Sequence, residues 1–234
     1  MEPGPYHPLF YWPHVAFGIS TALVVLVPIF SRKGSTLHRQ SGRLFAIAMA
    51  IAAVSALYFS SIVFAPPAIL SAITALYAIG AAILTLRARR GWRKHLERAL
   101  LLVPLLLFLF TLASLAMAIG APERPPIAVI VVFAGVMLGL YGWLTWGDFS
   151  YLRASDVTKL RRYRRHAVRM AIVATEVVRA PLMSFGPPIF GELTGSFYMF
   201  APYVLVPLIY YGAMPAWVKV GDEAYAAKLS TAIA

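Results

Sequence analysis

Three histidines in this sequence occupy one place in a recurring pattern. The stretch KGSTLHRQSGR, ending at Arg43, sets His38 beside Arg39 just before an apolar run. Trp92-Arg-Lys-His95-Leu-Glu-Arg98 and Tyr163-Arg-Arg-His166-Ala-Val-Arg169 repeat the arrangement as aromatic, base, base, His, two residues, Arg. Neutral imidazole ligates haem iron, copper and zinc. If His38, His95 and His166 lie at one depth, two or three of them can converge on a single group, and haem b is the cofactor this pattern fits best. Guanidinium groups at Arg39, Arg43 and Arg169 suit an anion or haem propionates, whereas positive surroundings disfavour a bare metal cation. The bland alternative is interfacial imidazoles sitting among lipid phosphates and loop carbonyls. His7 and His14 come from one segment and cannot easily sandwich a haem between them.

A second polar feature lies inside an apolar run. In HAVRMAIVATEVVRAPLM, Glu176 and Arg179 stand three apart, so they share a helical face and can form an ion pair. Glu176 is roughly 14 Å into the helix at the helical rise. A lone charge there costs at least about 2.5–3.5 kcal/mol, so both side chains are expected to face the bundle. Pro181 removes the usual donor to the Val177 carbonyl, which invites a kink. The pair reads either as part of an internal polar path or as a bridge that locks the helix in place. Asp148, after Trp146-Gly147, is placed to neutralise a nearby arginine. Tyr58, Tyr77, Tyr141 and Trp143 read as packing aromatics, and Gly18, Gly135, Gly139 and Gly142 as close helix-packing positions.

The elements that position these groups are membrane spans. Of the 234 residues, 60% are hydrophobic and only 13% charged, and the mean hydropathy is +0.75. That balance excludes an ordinary soluble domain. Seven runs approach the roughly 20 apolar residues a spanning helix needs: 14–31, 44–65, 68–86, 99–120, 126–147, 168–190 and 194–213. The expected fold is an all-α integral membrane bundle, one domain over 1–213, with a short cytoplasmic tail at 214–234. The prolines at 66–67, 125–126 and 187–188 punctuate it. The two shortest turns predict antiparallel packing of the second span on the third and of the fourth on the fifth. The first residues lack a basic stretch, so the first run is expected to be retained rather than cleaved.

Orientation follows from the bases. Of the 21 Lys and Arg residues, 19 fall in the segments after the first, third, fifth and seventh runs, counting Arg169 at the very start of the sixth run with the segment before it. The positive-inside rule then puts the N-terminus outside, the C-terminus in the cytoplasm, and all three histidines at the inner leaflet. It also accounts for the net charge of +12 through anionic lipid headgroups, with no nucleic-acid partner. Cysteine is absent, which excludes disulfides and thiolate chemistry. No phosphate-binding glycine loop, His-Glu-x-x-His helix or nucleophile elbow is present.

The runs KGSTLHRQSGRLFAIAMAIAAVSAL and YRRHAVRMAIVATEVVRAPLM resemble the two signature regions of a bacterial multi-pass family, domain-of-unknown-function family 2306. The matching positions are His14, Lys33, His38, Arg39, Gly42, Arg43, His166, Arg169, Met170 and Arg179. The resemblance implies a bacterial inner membrane and a seven-helix plan, and no reaction. Three functions stay open. The chain is a haem- or metal-binding redox protein or redox-complex subunit; or a transporter or sensor bundle with Glu176 and Arg179 on an internal path; or an accessory scaffold of a larger complex or homo-oligomer. The last expected span carries no lysine, which argues against a retinal protein.

Overall fold

The computed structural model describes residues 8–62, 66–86, 91–120, 127–154 and 157–190, and all of their regular structure is α-helical. The elements are α1 (Pro8–Val24), α2 (Leu26–Phe30), α3 (Thr36–Ile62), α4 (Pro66–Thr85), α5 (Trp92–Gly120), α6 (Ile127–Arg153) and α7 (Lys159–Phe190). Four stretches among them are long and apolar enough to cross a membrane: 11–30, 36–62, 68–85 and 92–120. The expected span at 194–213 and the tail at 214–234 lie outside the described residues.

The helices outrun the apolar runs that announced them. α3, α5 and α7 begin 7–9 residues before the first apolar residue expected of each. Arginine and lysine are good helix formers, so the basic segments add polar turns instead of forming loops. The first run loses one rung of its ladder at Pro28, which has no N–H to donate to the Val24 carbonyl, while Val25 keeps helical dihedrals and its bonds to Thr21 and Ile29. α7 runs as a single helix through Pro181 and on to Phe190.

α4 is the hub. It packs against α3, α5 and α7, while α1 lies along α3 and touches α7, and α6 lies along α5. The sequence of α4 explains this place. It holds no charged residue. Ala72, Ala75, Ala78, Ala81 and Ala82 recur every three or four positions and are all buried, so neighbouring backbones approach closely. The two antiparallel pairs expected from the short turns, α3 on α4 and α5 on α6, are packed neighbours.

The fifth and sixth expected spans differ: α7 docks on α4, and no Cα of α6 comes within 8 Å of α4 or α7 among the described residues. Long side chains fill that separation. Tyr141 and Leu144 of α6 share one apolar cluster with Tyr77 of α4 and with Ile172 and Val173 of α7. Of the glycines on α6, Gly142 meets α5, where an added Cβ would lie 3.4 Å from Phe108; at Gly135 and Gly139 that space is open.

Candidate functional site

One face of α7 carries charge through the bundle. Arg165, Arg169, Glu176 and Arg179 recur at helical spacing, and each is at most 8% exposed. α4 runs antiparallel to this face. Its register is marked by Ser71 against Glu176, Ala82 against His166 and Thr85 against Arg165. The stripe from residue 165 to residue 179 is about 21 Å long at the helical rise. That is about two thirds of a hydrocarbon core of roughly 30 Å.

The first cluster centres on Asp148, which is fully buried near the end of α6. Its Oδ1 accepts from Arg165 Nε at 3.1 Å and lies 3.0 Å from Arg165 Nη2, and it also accepts from Arg169 Nη2. Its Oδ2 accepts the hydroxyl proton of Tyr77 on α4. Arg165 Nη1 donates to Thr85 Oγ1 and stands 3.9 Å from Glu97 on α5, while its guanidinium lies over the Tyr151 ring at 4.2 Å. Arg169 lies 5.6 Å from the Tyr77 ring centroid. Two guanidiniums thus face two carboxylates. A buried charge costs several kcal/mol unless compensated, and the neutral sum is what makes the cluster tolerable.

The second cluster is Glu176 with Arg179, whose Nε donates to Glu176 Oε2 at 3.0 Å. Ser71 Oγ donates to the same oxygen. One turn along α4, Thr74 Oγ1 lies 2.9 Å from Tyr141 OH. Thr74 also donates to the Leu70 carbonyl at 2.7 Å. A carbonyl accepts only, so the threonine proton is committed there and Tyr141 is the donor to Thr74. Tyr141 is close enough to Glu176 and Arg179 to interact with both charges. Ser71, Thr74 and Tyr77 thus place three hydroxyls along α4 between the clusters, Ser71 bonded to Glu176, Thr74 to Tyr141 and Tyr77 to Asp148.

The histidines divide. His38 Nδ1 lies 3.1 Å from the Pro28 carbonyl, and His166 Nδ1 lies 3.1 Å from the Ala82 carbonyl. Each Nδ1 must carry its hydrogen to make that contact, which leaves Nε2 of the neutral ring as a lone-pair donor. His38 and His166 are also near enough to interact electrostatically, with Lys33 close to both. Lys33 Nζ donates to the Pro28 and Ile29 carbonyls and closes the end of α2. Desolvation there draws its pKa below the ordinary lysine value.

His95 is exposed in the first turn of α5, and the described contacts of the other two histidines do not include it. Arg39 and Arg43 are exposed, while Arg169 is buried on Asp148. Of the N-terminal pair, His14 donates to the Ala52 carbonyl at 3.0 Å, and His7 lies outside the described residues. Among the described residues no group of three or more His, Asp or Glu is placed to hold a metal ion.

Sequence reasoning singled out the Glu176–Arg179 pair and Asp148 but assigned Tyr77 and Tyr141 to packing and did not single out Glu97. The available signal was the hydroxyl and aromatic residues at 71, 74 and 77 on a helix otherwise free of polar groups larger than threonine. Comparison of the chain with protein-family models, curated proteins and solved structures finds no match.

Proposed function

We propose that the chain is a multi-pass bacterial inner-membrane protein of seven spans, N-terminus outside, that moves protons along the polar face of α7. The observation that carries this reading is the pairing of two neutral charge clusters with the intervening hydroxyls of Ser71, Thr74, Tyr141 and Tyr77. Hydroxyls both donate and accept, so they pass a proton without forming a buried ion. Ionisable residues within spans face the bundle interior and mark ion paths and proton relays. The lopsided basic loops support the orientation. Anionic headgroups are the partners that the basic end would meet, and further subunits or a second copy would pack on the apolar outer faces.

The test is proton flux into vesicles holding the purified chain and a trapped pH dye, under an imposed potassium diffusion potential. Tyr77→Phe keeps the ring and removes the hydroxyl that reaches Asp148. It is expected to cut the flux at least tenfold while the protein remains folded. Unchanged flux in Tyr77→Phe would remove that hydroxyl from the path.

A second reading has its own support. The anchored Nδ1 atoms of His38 and His166 are the arrangement that orients imidazole ligands toward a metal. Haem b or a d-block ion held between the two Nε2 atoms would make the protein a redox subunit. Protein purified from haem-sufficient cells is then expected to show a haem absorption band that is lost in His38→Ala and in His166→Ala. A colourless, metal-free preparation contradicts this reading and leaves the proton path standing.

A further inference from the structure

α3 and α7 both pack on α4, yet no Cα of one comes within 8 Å of the other among the described residues. His38 on α3 and His166 on α7 are near enough to interact across the gap this leaves. His38, in the first turn of α3, is held by the Pro28 carbonyl of α2. His166, near the start of α7, is held by the Ala82 carbonyl of α4. Each ring is thus fixed by a helix other than its own. Nδ1 is the donor in both, and neither Nε2 makes a hydrogen bond among the described residues.

The donor set decides which ligand fits. Met170 follows His166 by four residues, so its sulfur shares that face of α7, half-buried against the apolar cluster. Lys33 acts electrostatically on both rings and His38 on His166, and no carboxylate is among these groups. Lys33 Nζ donates to the Pro28 and Ile29 carbonyls, so it contributes positive charge and no lone pair. Structural zinc is closed by four ligands, and no group of three His, Asp or Glu is at hand among the described residues. Repulsion from the ammonium scales with the charge of the ion, so a monovalent ion meets half the opposition of a divalent one. Haem iron would take the two imidazoles and leave the thioether idle. A monovalent d10 ion is content with two or three donors, and a thioether among them selects Cu(I).

Resting on the reading of His38 and His166 as ligands, we infer that their Nε2 atoms and the Met170 sulfur bind one monovalent d10 ion, Cu(I), between α3 and α7. The ion joins two helices that lack close backbone packing with each other. Binding to the folded bundle alone therefore stabilises it.

The probe is Ag(I), an air-stable ion of the same charge and shell, added as nitrate to the full chain in chloride-free detergent buffer. Cu(I) follows without oxygen, in competition with a colorimetric chelator. One ion per chain is expected, with a rise in the unfolding temperature. His38→Gln and His166→Gln are each expected to weaken binding about a hundredfold. Met170→Leu keeps the packing, removes the sulfur and is expected to weaken binding about tenfold. His95→Ala, in the exposed first turn of α5, leaves the affinity unchanged. Circular dichroism of each metal-free variant checks that it is folded.

An Ag(I) affinity unmoved by any one of the first three variants overturns the inference. Zn(II) bound as tightly as Ag(I) at these histidines also overturns it and keeps metal ligation. A haem band lost in His38→Ala, with no Ag(I) bound by the haem-free protein, overturns it and keeps the haem form of that reading. A protein that binds neither haem nor either ion loses the inference and the reading together.

Discussion

Asp148→Ala is expected to destabilise the bundle by about 3–5 kcal/mol, the range for removing one partner of a buried ion pair. The carboxylate is fully buried and serves two arginines on α7 and a tyrosine on α4. With it gone, Glu97, 3.9 Å from Arg165, is the one acidic neighbour left to Arg165 and Arg169 among the described residues. The loss also unties α6, which reaches α4 and α7 through side chains and not through close backbone packing. Unfolding of the purified protein in detergent, followed by circular dichroism, measures it. Asp148→Asn/Arg169→Gln removes one charge of each sign and is expected to recover most of the loss. A single variant as stable as the wild type would mean that the arginines find water or lipid phosphate in place of Asp148.

Glu176→Gln is expected to have the second largest effect, again about 3–5 kcal/mol, because Arg179 keeps its charge in the interior and Glu176 no longer opposes it. The double variant Glu176→Gln/Arg179→Gln removes both charges with little change in volume. It is expected to return to within about 1 kcal/mol of the wild type, as neutral replacements of buried pairs commonly do. The same unfolding measurement decides it. If the double variant were as unstable as the single one, the deficit would come from lost shape or hydrogen bonds and not from uncompensated charge.

Both effects rest on contacts of very different legibility. Glu176 and Arg179 lie three apart on one helix, and local periodicity alone brings them together. Tyr77 and Asp148 are 71 positions apart, and Ser71 and Glu176 are 105 apart. No local pattern encodes such pairs, since they depend on which helix α7 chooses to dock against. Chain adjacency alone favours α6, but α4 offers a run of alanines that lets α7 approach. Hydropathy likewise found the long apolar stretches of α3, α4 and α5 yet set the starts of α3 and α5 several residues late, because arginine-rich turns extend a helix while reading as loop.

The histidines show the same limit. Equal depth is expected from where the bases fall, but angular position around the bundle is not given by it. His38 and His166 are turned inward onto carbonyls, and His95 is turned outward in the first turn of α5. A layer can be read from where bases fall along the chain. A converging pair requires the rotation of each helix, which packing sets.

The most direct test of the proton path compares two folded proteins. Wild type and Glu176→Gln/Arg179→Gln are reconstituted at equal density into vesicles with an internal pH dye, under the same imposed potential. The wild type is expected to acidify or alkalinise the lumen according to the sign of the applied gradient, and the double variant to behave as protein-free vesicles. Equal proton flux through both proteins would contradict the account, since the charged stripe of α7 would then carry nothing.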